Sequence, residues 1–292
     1  MKKIFEGTGV ALVTPFKDDK VDFSSMYNLV TKCLDENAQA IVILATTGEG
    51  TTITQEERKQ IITFCTSIIK NKAKLIVGTG NNNFEVCHQN TLQAKELGAD
   101  AVLVVTPYYN KTTQTGIVEY YRRLSQIEIP MIMYNVPART GLNIELETIS
   151  KIIKTNKWVC GIKESTCDIN RIVKLHKICE NKIAIYSGED ALNLIFYSLG
   201  GNGAISVTAN AYCKQVQQIF ELAQQNNFMS ALKLQNKLQP INEVLFCETN
   251  PIPIKYLLKC LQIIDSEQVR MPLISLSEKH KKQIQKLLKK CQ

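Results

Sequence analysis

No apolar run in this chain approaches the ~18–20 residues that a membrane-spanning helix needs. The opening stretch MKKIFEGTGVALVTPF carries two lysines and an apolar patch, but Glu6, Gly7 and Gly9 interrupt it and Pro15 follows. It offers no small-residue cleavage site, so it reads as the first strand of the mature fold in a cytoplasmic protein. No C-x-x-C pair occurs among the ten cysteines, and only three histidines are present. That removes the usual zinc patterns and gives no disulfide framework. Scattered among apolar neighbours, the cysteines read as small buried hydrophobes in a reducing compartment. The segment TPFKDDK, which follows the first strand, is not the glycine-rich phosphate loop that a dinucleotide-binding open sheet would place there. The net charge of +8 is concentrated late, with six lysines in SEKHKKQIQKLLKKCQ. Ile284, Leu287 and Leu288 sit there at helical spacing, so the tail reads as an amphipathic helix with a solvated basic face. No groove-reading motif accompanies it. Neither nucleic acid, membrane, metal nor cofactor is indicated as a partner.

The 292 residues, 45% hydrophobic and 21% charged, supply a sizeable core. Eight times a short β-branched run precedes a longer helical pattern: GVALVT, AIVIL, KLIVGT, AVLVVT, PMIMYN, VCGIKE, IAIYSG and GAISV. Near-continuous apolar runs suit parallel strands covered on both faces. The intervening helices show their ends, with Thr54 and Glu57 spaced as a capping box and Gly98 as a C-terminal glycine. Eight β-then-α units imply an α/β protein, a (β/α)8 TIM barrel over residues 1–226, with a doubly wound sheet as the structural runner-up. Beyond that the strands stop, and residues 227–292 read as a small appendage of three helices.

In such a barrel the working residues stand at the carboxyl ends of the strands. Reading those positions gives ATTGEG, TPYYNK, YNVPARTG, then Lys163 ending VCGIKE, then SGED and GAISV. Hydroxyls, phenols, an arginine and one lysine converge, without histidine or a carboxylate cluster. That set points to a covalent amine catalyst served by phenol and hydroxyl proton carriers. Gly161 and Lys163 share one face of their strand. If that face is the interior, Gly161 leaves open volume beside the amine, and burial favours the uncharged nucleophile.

Taken in order, GTGVALVTPF, TTGEG, TPYYNK, YNVPARTG, GIKES, SGED, GAISVTAN and NPIPIK resemble the pyruvate-dependent class I aldolase superfamily. Within it the likeness is to the dihydrodipicolinate synthase family, from about Lys3 to the C-terminal helices. The resemblance implies that Lys163 forms a Schiff base with pyruvate and that Tyr134, Thr46 and Tyr109 relay protons. It implies that Thr47 binds the pyruvate carboxylate and Arg139 the carboxylate of L-aspartate-4-semialdehyde, with Gly188 and Ile205 as backbone contacts. In the family the residue at Tyr109 serves a neighbouring subunit, which implies a homo-oligomer with a dimer as minimal unit and a tetramer as usual assembly. Two alternatives stand beside this reading. N-acetylneuraminate lyases and keto-deoxy sugar acid aldolases share the lysine and tyrosine, and Arg139 discriminates against them. A catalytically inactive binding relative is opposed by the intact Lys163, Tyr134 and Thr46. Lysine-inhibited members carry a Ser-Ala pair and two histidines where this chain has Gly50-Thr51, Gln55 and Arg58, although Asn82 and Tyr108 match. A cation at Arg58 would oppose the effector's ammonium, so inhibition by lysine is expected to be weak or absent.

Overall fold

A parallel strand covered on both faces needs apolar side chains on both, and eight such strands here form one closed ring. The computed structural model describes residues 3–179 and 182–291. The chain begins with β1 (Gly7–Ala11) and a small antiparallel hairpin of β2 (Phe16–Lys17) and β3 (Lys20–Val21). The ring continues through β4 (Ala40–Ile43), β5 (Lys74–Gly78), β6 (Ala101–Val105) and β7 (Met131–Asn135). It closes through β8 (Val159–Glu164), β9 (Ala184–Ser187) and β10 (Gly203–Ser206), which pairs in parallel with β1. β1 begins at Gly7 rather than Gly9 because Gly7 and Thr8 find backbone partners in Gly203 and Ala204.

Helices α1 (Phe23–Asp35), α2 (Gln55–Ile69), α3 (Phe84–Glu96) and α4 (Gln114–Leu124) follow the first four barrel strands. After β7 come the short α5 (Pro137–Thr140) and α6 (Leu146–Thr155). α7 (Ile169–Cys179), α8 (Asn193–Ser198) and α9 (Ala209–Gln224) complete the outer layer. The expected capping box at α2 is formed, with Thr54 accepting from the Glu57 backbone and the Glu57 side chain accepting from the Thr54 backbone. Gly98, at φ +86°, follows the end of α3 in the left-handed conformation that glycine adopts without strain.

Beyond the barrel lie α10 (Phe228–Val244), α11 (Ile252–Cys260) and α12 (Glu278–Cys291). Their buried residues, among them Leu238, Ile254, Leu257 and Ile284, belong to the same apolar cluster that fills the layer between sheet and helices. A second, smaller cluster fills the barrel itself, including Phe5, Val42, Leu103, Ile132, Tyr134, Tyr186 and Ile205. Phe5 stacks on Tyr186 with ring centroids 4.3 Å apart, and the Tyr186 hydroxyl donates to the Phe5 carbonyl at 2.9 Å. The nine described cysteines are unpaired and mostly buried, while the side chain of Cys291 lies outside the described part. Among the described residues no helix is long and apolar enough to cross a membrane.

The start of α2 is pinned to the C-terminal region by charge. Arg270 grips Glu57 through two parallel bonds, Nη1 to Oε2 at 2.7 Å and Nη2 to Oε1 at 2.5 Å. That guanidinium brings the Glu57 carboxyl down from 4.5 to about 2. The unfolded chain therefore binds more protons than the folded one between those values, and the stability the pair contributes disappears as pH falls through them. Glu57→Gln should be less stable at neutral pH and lose less on acidification, which urea midpoints measured from about pH 7 down to about pH 3 would show.

Candidate active site

Parallel strands in a closed ring deliver all their carboxyl ends to one mouth, and the candidate residues are read from there. β7 and β8 pair so that Tyr134 stands opposite Lys163. Both side chains point into the barrel, where the Lys163 amine lies 4.5 Å from the centre of the Tyr134 ring. Lys163 is 5% exposed, and among the described residues its amine makes no direct ion pair or hydrogen bond, although the Glu189 carboxylate lies within electrostatic reach of it. A buried amine without a directly bonded counter-ion is costly to build and useful as a nucleophile. Nearby, burial first and Asp190 second push the Glu189 carboxyl above its ordinary range.

Gly188 borders the lysine stem. A Cβ there would stand 2.9 Å from Lys163 Cε and 1.9 Å from the Ser165 hydroxyl, so any larger residue would displace one or both side chains. The Gly188 N–H donates to the Glu164 carbonyl at 2.8 Å. Ile205 lies buried in the barrel cluster. Gly161 shares the interior face with Lys163, as its partners Ile132 and Ala184 require, but the volume beside it is not open. The Tyr186 ring occupies it, with Cε2 only 3.0 Å from where a Cβ would be. Glycine at 161 makes room for a tyrosine from the next strand, not for a ligand.

Thr46 and Thr47 sit on the tight turn after β4, where Gly50 passes so close to Leu44 that a Cβ would be 2.0 Å from its carbonyl oxygen. The Thr47 hydroxyl accepts from Asn250 Nδ2 at 3.0 Å. The Asn250 carbonyl in turn accepts from Arg139 Nη2 at 3.2 Å. Asn250 thus ties together the residues expected at two carboxylate sites, and its own buried Oδ1 has no partner. Sequence reasoning missed this role, although the motif NPIPIK contains it. A polar asparagine beside a proline in an apolar segment was the available signal.

The same segment supplies Lys255, which is fully buried and paired with buried Glu49 of the TTGEG turn at 2.5 Å. Lys255 also donates to the Gln268 carbonyl at 2.8 Å, while the Arg270 N–H donates to the other Glu49 oxygen at 2.9 Å. Burial brings the Lys255 ammonium down to about 8 despite that carboxylate. The turn carrying Thr46 and Thr47 is therefore held from the C-terminal helices.

A cavity of about 300 Å³ opens above this cluster and is lined by Thr46, Tyr134, Arg139 and Asn250, reaching Tyr108 and Arg58. Lys163, Thr47, Gly188 and Ile205 are not on its wall. Tyr109 is not brought to the site within one chain: it is 90% exposed and held at φ +69°. At the far end Arg58 is buried, donating to the Gly78 carbonyl at 2.5 Å, and burial lowers its guanidinium to about 10. Gln55 donates to Asn90 at 3.2 Å, and Glu85 is exposed at the start of α3. Among the described residues no group of three or more His, Cys, Asp and Glu side chains is placed to hold a metal.

The sequence profile of the dihydrodipicolinate synthetase family matches residues 4–291. The chain belongs to that family. It is 39% identical over 288 residues to a 4-hydroxy-tetrahydrodipicolinate synthase of Alkaliphilus oremlandii, covering 98% of this chain and 99% of that one. It is 42% identical over 276 residues to the 4-hydroxy-tetrahydrodipicolinate synthase of Clostridium novyi, covering 94% and 93%. Among solved structures, the dihydrodipicolinate synthase of Thermotoga maritima superposes with a TM-score of 0.96 at 36% identity, covering 98% of both chains.

Removing one member of a buried ion pair leaves an uncompensated charge. Lys255→Met should cost about 3–5 kcal/mol, and adding Glu49→Gln should recover part of it, as read by urea denaturation at neutral pH.

Proposed function

We infer that this protein is a lyase of the class I aldolase type. It condenses pyruvate with L-aspartate-4-semialdehyde, the reaction of 4-hydroxy-tetrahydrodipicolinate synthases in diaminopimelate and lysine biosynthesis. The observation that carries the reading is the Lys163 amine, buried without a direct ion pair and set against the Tyr134 ring at the strand ends.

The chemistry follows from those groups. The Lys163 amine attacks the keto carbon of pyruvate, and the carbinolamine loses water to give an imine. A phenol has a pKa of ~10 and, chained to a hydroxyl, hands protons over without holding a stable charge. Tyr134 and Thr46 take that role, with Tyr109 serving the site of a neighbouring subunit. Its near-complete exposure in a single chain supports a homo-oligomer in which the dimer is the minimal unit. Loss of a methyl proton makes the enamine, whose carbon attacks the aldehyde. The amino group of the second substrate then adds to the imine carbon, and Lys163 leaves as the ring closes, so one water is released per turnover. Thr47 holds the pyruvate carboxylate. Arg139 receives the carboxylate of the second substrate, since a guanidinium can grip it with two parallel bonds. Gly188 and Ile205 contribute backbone contacts. The unpaired thiols fit a reducing, cytoplasmic setting.

Borohydride added with pyruvate should attach a three-carbon adduct to Lys163, located by peptide mass spectrometry. An unmodified Lys163 ends the aldolase reading and favours an inactive relative. Turnover with L-aspartate-4-semialdehyde and none with N-acetylmannosamine separates this activity from a sialic acid lyase. The buried, carboxylate-free Arg58 guanidinium opposes an ammonium ligand, so sub-millimolar lysine should leave initial rates unchanged.

A further inference from the structure

We propose that Asn135 and Glu164 are positioning residues that lock Tyr134 and Lys163 in register across β7 and β8. The inference rests on the functional reading above and adds residues to it. In the parallel pairing of these strands Tyr134 faces Lys163, and the next pair is Asn135 with Glu164. Side chains alternate along a strand, so this second pair projects from the opposite face, away from the reacting groups. There both residues are fully buried.

Asn135 Nδ2 donates to both Glu164 carboxylate oxygens, at 2.9 and 3.0 Å, and to Asn143 Oδ1 at 2.8 Å. Asn135 Oδ1 accepts from the Ile144 N–H at 3.0 Å. Glu164 also accepts from the Thr166 N–H at 2.9 Å and from Arg171 Nε at 3.0 Å. Arg171 closes the circuit by donating to the Ile144 carbonyl at 2.7 Å. Two strands, the segment before α6 and the first turn of α7 are thereby joined through one carboxylate.

Stability alone does not account for such an arrangement, because buried ion pairs are often no more stable than apolar groups of the same size. Geometry does. β7 and β8 shift register once, between Met131 and Ile132, and only four pairs then run in step, the last being Asn135 with Glu164. A side-chain link at that last pair, next to Tyr134 and Lys163 and on the opposite face, clamps the end of this short ladder. The benefit is large, because a misplacement of about 1 Å at a reacting centre can cost about 10²-fold in rate.

The experiment compares Asn135→Ala, Asn143→Ala and Glu164→Gln in the full-length protein. Each is assayed for kcat and KM with pyruvate, for the rate of borohydride-trapped adduct formation, and for thermal midpoint. Asn135→Ala breaks the cross-strand link and leaves the Glu164–Arg171 pair, so kcat and trapping rate should fall together by about 30-fold or more, with KM for pyruvate within about threefold. Asn143→Ala removes a bond to the same asparagine but not the link, and should keep kcat within about twofold. Glu164→Gln keeps an acceptor for Asn135 and loses the ion pair, so it should lower the thermal midpoint while retaining kcat within about fivefold below that midpoint. If Asn135→Ala does not fold, Asn135→Ser, polar but too short to span the gap, takes its place with the same expectation. A folded Asn135 variant with kcat within about threefold of wild type overturns the proposal, as does a loss of kcat that follows thermal midpoint equally in all the variants. A wild type that traps no pyruvate overturns the functional reading and this proposal with it. A wild type that traps pyruvate, matched by Asn135→Ala, removes the positioning role alone.

Discussion

The structure turns on an unpaired amine. Lys163 lies inside a closed sheet, against an aromatic face and with no carboxylate bonded directly to it. An arrangement of that kind persists only where the surroundings over-determine it. The surroundings here are the glycine at 188, which leaves space for the stem, and the side chains that hold β7 and β8 together from behind. Remove the constraint and a lysine at a strand end would turn back toward water, as lysines generally do.

The barrel does not make the site by itself. The turn after β4 carries the hydroxyls of Thr46 and Thr47, and a two-point hold fixes it from outside the ring. Asn250 reaches Thr47, and Lys255 reaches Glu49. Asn250 also touches Arg139, so one residue of the C-terminal segment spans the groups assigned to both reactants. The helices after the barrel thus act as the back wall of the mouth rather than as an ornament on the fold.

Much of this was legible in the sequence, for a physical reason. Strands covered on both faces must be apolar throughout, so AVLVVT and VCGIKE mark themselves without an alternating pattern. Thr54 with Glu57, and Gly98, mark helix ends because orphaned backbone groups need partners there. A lysine ending a strand is ordinary, and Lys163 stood out only beside the hydroxyls, phenols and arginine at the other strand ends. What stayed hidden depends on distant contacts. Nothing near Gly161 says that a tyrosine from β9 will fill the space beside it. Nothing near Glu49 says that its partner is Lys255, 206 residues away. The hairpin of β2 and β3, with Asp18 and Asp19 both at positive φ, lacks the glycine that usually marks such a turn. Tyr109 is a different case, because its expected destination is not in the same chain.

The stack of Phe5 on Tyr186 stoppers the barrel below the amine. A stoppered ring has one door. On the function proposed above, a keto acid bonded to Lys163 has to arrive from the strand-end side, away from this stack, where Arg139 lines the cavity.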